Sequence, residues 1–209
     1  MTDMFRPALR GLLCGAGLLL AAPALTGCAG PAAPPDQFFR LDVAPPPALA
    51  HPALSGVVEV GRFAAQGLAG DRAMLYSRAE TPGQVARYSY ALWVESPTLM
   101  LQNQLIASLR AAGAADMVTS PDLRVPPEQM IQGRILRFEE VLGPSPKVVV
   151  DLELGLIRLH GGEVRLLRDY RAELPLSGDK PADAAQGFQN ALRDIFARFT
   201  ADLAALPPT

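Results

Sequence analysis

The chain has 209 residues and a mass of 22.2 kDa, which is the size of one domain with an additional segment. Nineteen Lys and Arg residues against 21 Asp and Glu residues give a formal net charge of −2, which excludes a protein built around a basic nucleic-acid-binding surface. Since 49% of the residues are hydrophobic, the chain can bury a core and is not a disordered polyelectrolyte. Only two Cys and two His residues occur, so we expect no metal site and no cofactor.

Residues 1–27 predict a lipoprotein signal peptide. Arg6 and Arg10 form a positive N-terminal region, and residues 11–22 form an uncharged apolar run shorter than the about 20 residues needed to cross a bilayer. The motif Leu-Thr-Gly-Cys ending at Cys28 resembles the bacterial lipobox, in which small residues precede a Cys that is diacylated on sulfur. We therefore expect lipidation at Cys28. An ordinary signal peptide with an incidental Cys, or an N-terminal membrane anchor, is the alternative.

The residues after Cys28 predict an anchored domain on a spacer. In the sorting rule that comes with the lipobox resemblance, an Asp after the Cys retains a lipoprotein at the inner membrane, and that position here is Ala29. We therefore expect a lipid anchor in the outer membrane, with the protein facing the periplasm. Residues 28–37 hold the lipidated Cys and a Pro-rich flexible tether, which spans about 28 Å in a polyproline II conformation.

Residues 38–209 are predicted as one domain with strands, a helix, strands and a second helix. The first helix opens at Ser96-Pro97, and residues 181–206 form a long second helix with a regular apolar stripe. A change of apolar phase near residues 155–157 indicates a β-bulge, or a strand that passes from one packing environment to another. We expect an α+β fold, an antiparallel β-sheet covered on one face by two α-helices. The predicted strands are residues 38–41, 57–63, 73–78, 85–93, 117–120, 129–141, 147–160 and 163–176.

The sequence contains no nucleophile-elbow or phosphate-loop motif. Asp151 and Glu153, two residues apart on one strand face, could act as a carboxylate pair, but a solvated outer face of the sheet is the favoured explanation. His51 and His160 fall in predicted loops without an orienting partner nearby in sequence. We therefore expect no catalytic residue and no enzymatic activity.

Three aromatic residues precede the first helix: Tyr88, Tyr90 and Trp93, the only Trp of the chain. They are candidates for contact with a lipid or a partner protein, because aromatic side chains anchor interfaces. The alternative, which we favour, is that they pack the first helix onto the sheet.

Four stretches carry a resemblance to a known family: Phe-Arg-Leu at 39–41, Val-Glu-Val at 58–60, Tyr-Ala-Leu-Trp-Val-Glu-Ser-Pro at 90–97, and Gly-Arg-Ile-Leu-Arg-Phe-Glu at 133–139. With the closing amphipathic helix, they resemble the ABC-type transport auxiliary lipoprotein component family, which includes the paraquat-inducible lipoprotein associated with an MCE-domain protein. One departure is residues 63–68, where the family often has a Leu-Pro-x-Tyr-Leu-type run.

The resemblance implies a non-enzymatic subunit of a lipid transport system at the outer membrane. Its partners would be an MCE-domain protein and the associated ABC permease and ATPase, with phospholipid and a second copy of the chain as further candidates and no nucleic acid. Two alternatives stay open. One is a periplasmic hydrolase with an unrecognised site, and the other is an envelope-structural lipoprotein that binds peptidoglycan or an outer-membrane barrel.

Overall fold

The computed structural model describes residues 33–207. The predicted signal peptide, Cys28 and the first part of the tether lie outside the described residues. Two short 3₁₀ turns, Gly67–Gly70 and Pro121–Leu123, accompany nine strands and two α-helices within that range. In chain order these are β1 (Gln37–Phe39), β2 (Leu54–Val60), β3 (Ala64–Ala65), β4 (Ala73–Arg78), β5 (Thr81–Trp93), α1 (Pro97–Ala111), β6 (Ala115–Thr119), β7 (Gln129–Leu142), β8 (Lys147–Arg158), β9 (Glu163–Pro175) and α2 (Pro181–Ala204).

The long strand β7 organises the sheet. Along one edge it pairs antiparallel with β8, which in turn pairs antiparallel with β9. Along its other edge it pairs in succession with three shorter parallel strands, β2, β3 and β4. Beyond β2 lies β6 in parallel, beyond β4 lies β5 as an antiparallel hairpin, and beyond β5 lies β1 in parallel.

The sheet is therefore mixed, and the expectation of an antiparallel sheet is wrong. Four of the pairings with strands distant in sequence are parallel, in addition to the parallel pairing of β1 with β5. Apolar alternation predicts that a segment is a strand, but it carries no signal for the direction in which a distant strand pairs with it. The predicted bulge is confirmed, because the pairing of β8 with β9 shifts register between Leu156 and Ile157.

Both helices cover the same face of the sheet. α2 packs on β8 and β9, α1 packs on β2 and β6, and the two helices contact each other. The face of β8 beneath α2 is apolar and completely buried, with Val148, Val150, Leu152, Leu154 and Leu156 each 0% exposed. No helix within residues 33–207 is long and apolar enough to cross a membrane.

Aromatic rings fill the centre of the core between the sheet and α2. The Phe188 ring of α2 lies 4.3 Å from the Phe138 ring of β7 and 5.5 Å from the Trp93 ring, between ring centroids. Gly133 of β7 leaves the space that the Phe63 ring occupies, since a Cβ at this position would lie 2.5 Å from its atoms. The glycine of the 133–139 motif is thus explained by close packing against Phe63.

Candidate functional site

An irregularity in β5 creates the most distinctive surface feature of the domain. Leu75 of β4 pairs with Arg87, and Ala73 pairs with Leu92, so a two-residue step on β4 faces a five-residue step on β5. The extra residues bulge away from β4, and β1 pairs with β5 only from Ala91 onward. Because a bulge re-aims the side chains it contains, residues 88–90 are presented beside the sheet rather than within a regular ladder.

These residues form one wall of a cleft with a volume of about 360 Å³, which we call the tyrosine cleft. The Tyr76 and Tyr88 rings stack at a tilt, with 4.7 Å between their centroids, and Tyr90 is 39% exposed. Two guanidinium groups, of Arg78 and Arg87, also line the cleft. Its complete lining is Gln37, Tyr76, Arg78, Arg87, Tyr88, Ser89, Tyr90, Ala91, Leu142 and Pro181.

Behind the cleft, Tyr88 is tied to a buried carboxyl group. Its hydroxyl donates a hydrogen bond to Glu140 Oε2 at 2.8 Å, and Glu140 of β7 is 0% exposed. The other oxygen, Oε1, has no hydrogen-bond partner among the described residues. Burial raises the pKa of Glu140 above its ordinary value, and the nearby Asp179 and Asp183 carboxylates raise it further, against the opposing effect of the Tyr88 hydrogen bond.

The pKa of the Tyr88 hydroxyl is also raised, first by burial and then by its hydrogen bond to Glu140. Tyr88 therefore stays neutral and acts as a fixed donor, which holds its ring in place at the cleft wall. This pair is suited to position an aromatic surface. It lacks the exposure that a general base needs to reach a substrate proton.

The structure separates the three predicted aromatic residues. Tyr88 and Tyr90, two residues apart on β5, both line the tyrosine cleft. Trp93 is 1% exposed and packs against Phe138 and Phe188, so it belongs to the core and not to a contact surface. Trp93 is separated from both tyrosines by an odd number of positions, so its side chain points to the other side of the strand. Packing in the core therefore applies to Trp93, and a contact surface is available at Tyr88 and Tyr90.

Sequence analysis missed two cleft residues, Tyr76 and Arg78. Both lie on β4, where Tyr76 pairs with Ala86 and Arg78 with Thr81 of β5. The sequence predicts strands at 73–78 and 85–93, and a hairpin of the two strands brings Tyr76 and Arg78 close to the β5 aromatics. The apolar pattern of β5 does not predict the bulge that places Tyr88 and Tyr90 beside these two residues.

On the face of the sheet opposite the helices, the paired carboxylates have a structural explanation. Asp151 Oδ2 lies 3.5 Å from an Arg171 nitrogen, and Glu153 Oε1 lies 3.7 Å from Arg134 Nε. Each carboxylate is thus used in a cross-strand ion pair.

The same face carries a second depression of about 540 Å³, which we call the open-face groove. Met130, Ile157, Val164 and Leu167 supply its apolar lining, and Val164 and Leu167 are 58% and 62% exposed. His51 and His160 are exposed and lie before β2 and after β8, at separate places in the domain. Among the described residues, no group of three or more His, Cys, Asp or Glu side chains is placed to hold a metal ion.

Comparisons with known proteins give the family. The model of the ABC-type transport auxiliary lipoprotein component family matches residues 39–200. No curated protein sequence is significantly similar to the chain. Among solved structures, a Xanthomonas campestris protein of the DUF330 family is similar, with a TM-score of 0.69 and 20% identity over 78% of this chain and 92% of that one.

A second solved structure, described only as an uncharacterized protein, has a TM-score of 0.61 and 15% identity over 82% of this chain and 97% of that one. At these identities the two structures establish the fold. The family model covers more than half of the chain and includes every strand and helix from Leu54 to the body of α2. The chain therefore belongs to the ABC-type transport auxiliary lipoprotein component family.

Proposed function

We propose that this protein is a non-catalytic subunit of an MCE/ABC-type lipid transport system, anchored in the outer membrane through Cys28 and facing the periplasm. The observation that carries the proposal is the family match, which begins at residue 39, directly after the predicted tether of residues 28–37. A domain that starts where a lipidated spacer ends is arranged to act at a membrane surface.

The anchor is tested at Cys28. Cys28→Ala removes the thiol that accepts the diacylglycerol, so we expect an unprocessed or mislocalised precursor. Mass spectrometry of the wild-type mature protein should find an acylated N-terminus at Cys28, and a non-acylated N-terminus at another residue would refute the anchor. Ala29→Asp should move the protein to the inner membrane, as read by membrane fractionation.

The use of the polar side chains supports the proposed non-catalytic role. Asp151 and Glu153 are engaged in ion pairs, and Glu140 is buried behind Tyr88. What the domain offers instead is two surfaces, the tyrosine cleft and the open-face groove, and we assign Tyr88 and Tyr90 to contact with lipid or partner.

The non-catalytic role is tested by complementation of a deletion strain, scored as outer-membrane integrity in detergent. Asp151→Ala, Glu153→Ala, His51→Ala and His160→Ala should each complement within a few-fold, whereas loss of a general base costs about 10²–10⁴ in rate. Complete loss of complementation by one of them, with the protein still folded and abundant, would favour the hydrolase alternative.

The partner is tested by photo-crosslinking in cells. A photoreactive residue replacing exposed Tyr90 or exposed Leu167 should crosslink to the MCE-domain protein, and one replacing Arg193, which lies on α2, serves as the control. The crosslinked product should disappear in a strain without the MCE-domain protein. Crosslinks to peptidoglycan-bound or β-barrel proteins in its place would support the envelope-structural alternative.

A further inference from the structure

We infer that the tyrosine cleft binds the phosphoethanolamine headgroup of a phospholipid, with the phosphate at Arg78 and the ammonium against the tyrosine rings. The choice of a lipid ligand rests on the proposed function. The choice of headgroup rests on the charges, rings and dimensions of the cleft itself.

The phosphate end is defined by a guanidinium group that has no anionic partner. Arg87 is paired with Asp71, with 2.9 Å between Nε and Oδ2. Arg78 makes no ion pair within residues 33–207, and its guanidinium lies 6.0 Å from the centroid of the Tyr76 ring. The planar fork of an unpaired arginine matches phosphate oxygens and forms charge-assisted hydrogen bonds with them, so Arg78 is equipped for a phosphodiester.

The ammonium end is defined by ring faces. The Tyr76 and Tyr88 rings lie 4.7 Å apart, and Tyr90 is 39% exposed in the same lining. Tyrosine ring faces attract a cation electrostatically. One cleft therefore combines a guanidinium group for a phosphate with ring faces for an ammonium, as a zwitterionic headgroup requires.

The cleft is also within reach of a bilayer surface. Gln37, the first residue of β1, is one of its lining residues, and the proposed acylation site Cys28 is nine residues earlier in the chain. A fully extended chain of that length spans at most about 32 Å. A tether of this length allows the cleft to reach lipid headgroups, and anchoring raises their effective concentration, so weak binding to each headgroup is sufficient.

The dimensions favour a headgroup over an acyl chain. A volume of about 360 Å³ is at the lower end of ligand pockets, which are roughly 300–1,000 Å³. Apart from the rings, its apolar lining is limited to Ala91, Leu142 and Pro181. We therefore place the acyl chains outside the cleft.

The inference is tested by titrating a soluble headgroup into the mature chain, residues 28–209 with Cys28→Ser, followed by NMR. Glycerophosphoethanolamine should shift resonances of cleft residues in a saturable manner. Glycerophosphoglycerol, which lacks the ammonium, and ethanolamine, which lacks the phosphate, should each bind about tenfold more weakly or not at all.

Variants locate the binding to the cleft. Arg78→Gln and Tyr90→Ala should each weaken binding by about tenfold, while Arg124→Gln makes the same charge change at an exposed turn outside the cleft and should leave it unchanged. Thermal melting of each variant verifies that the fold is retained. Flotation with phosphatidylglycerol vesicles, with and without added phosphatidylethanolamine, should show the same order of variants.

Three results would overturn the inference: no saturable shifts, full binding by Arg78→Gln, or equal binding of inorganic phosphate, which would indicate a simple anion site. Failure here is distinguishable from failure of the proposed function. If the protein still crosslinks to the MCE-domain protein but does not bind glycerophosphoethanolamine, the transport role stands and the headgroup assignment falls.

Discussion

The two faces of β8 show how one strand serves two purposes. Toward the helices it presents five aliphatic side chains from Val148 to Leu156, none of them exposed. On the opposite face it presents Asp151, Glu153 and Gly155, where ion pairs and the open-face groove lie. The difference shows that the aliphatic core of the domain lies on one face, whereas the other carries polar side chains and a groove.

The same contrast applies to acidic residues. Glu140 points into the covered side of β7, and its pKa is raised. Its carboxyl group has a single hydrogen bond within residues 33–207. Glu153 lies on the open face beside Arg134 and is partly exposed. Because Glu140 is buried, its ionisation at neutral pH destabilises the folded state. Glu153 is partly exposed to solvent, so its ion pair changes stability very little.

The largest effect is expected from the aromatic centre of the covered face. Phe188→Ala removes a ring that is 0% exposed and packs on Phe138 and Trp93, so the free energy of unfolding should fall by about 3–5 kcal/mol. Thermal and urea unfolding measure it. Phe38→Ala makes the same change at a side chain that is 56% exposed and should have a much smaller effect. Equal melting of Phe188→Ala and wild type would mean that α2 does not pack as described.

A direct comparison of the two faces uses a matched pair of leucines. Leu154→Ala, on the covered face of β8, should cost about 2–5 kcal/mol, since the wild-type side chain is 0% exposed. Leu167→Ala, on β9 and 62% exposed, should change stability by less than about 0.5 kcal/mol. If Leu167→Ala destabilises as much as Leu154→Ala, the open face is part of a buried interface in solution.

The buried carboxyl group gives a pH-dependent prediction. Because the pKa of Glu140 is raised on folding, the folded state holds its proton more tightly, and stability is lost as the pH rises from about 4.3 through the folded-state pKa. Glu140→Gln keeps an acceptor for Tyr88 but cannot ionise. The variant should match wild type in urea unfolding at pH 4 and become more stable than wild type by pH 7.5.

Tyr88→Phe should change stability in the opposite direction from Glu140→Gln, because it removes the hydroxyl that donates to Glu140 Oε2. We expect the free energy of unfolding to fall by about 1–3 kcal/mol. A stability difference between Glu140→Gln and wild type that does not change between pH 4 and pH 7.5 would contradict the assignment of the raised pKa.

The smallest effect is expected from the ion pairs of the open face. Glu153→Gln removes the partner of Arg134, whose side chain is 58% exposed, so the change in stability should be within about 0.5 kcal/mol. The difference should shrink further at high salt. A loss of 2 kcal/mol or more (a rough threshold for a buried pair) would show that this pair is shielded from solvent.

The contrast between the faces also explains what could be predicted from sequence. Strict alternation predicts β7, β8 and β9, and their ends differ from the predicted ones by one or two residues. The five-residue apolar series of β8 and its phase change are visible in the sequence because burial on one face imposes them.

The mixed pairing and the tyrosine cleft could not be predicted in the same way. The direction of pairing between β2 and β7 depends on how the chain crosses between the two strands. The apolar pattern of either strand does not indicate this direction. The cleft depends on a bulge in β5, which presents residues 88–90 beside the sheet. The odd spacing between Tyr90 and Trp93 is visible in the sequence, but the tertiary structure decides which side of the strand is buried.

The position of β7 has a consequence for the order of folding. β7, β8 and β9 form a meander of adjacent strands, whereas Val58 of β2 pairs with Gln129, and Tyr76 of β4 pairs with Glu140. Parallel pairings of such high contact order close slowly, on a timescale of roughly milliseconds to seconds. A chain that emerges N-terminus first therefore holds the apolar side chains of β2 and β4 without their partner strand until β7 has followed. We expect the meander to gain hydrogen-exchange protection first during refolding, and the N-terminal strands to gain it later.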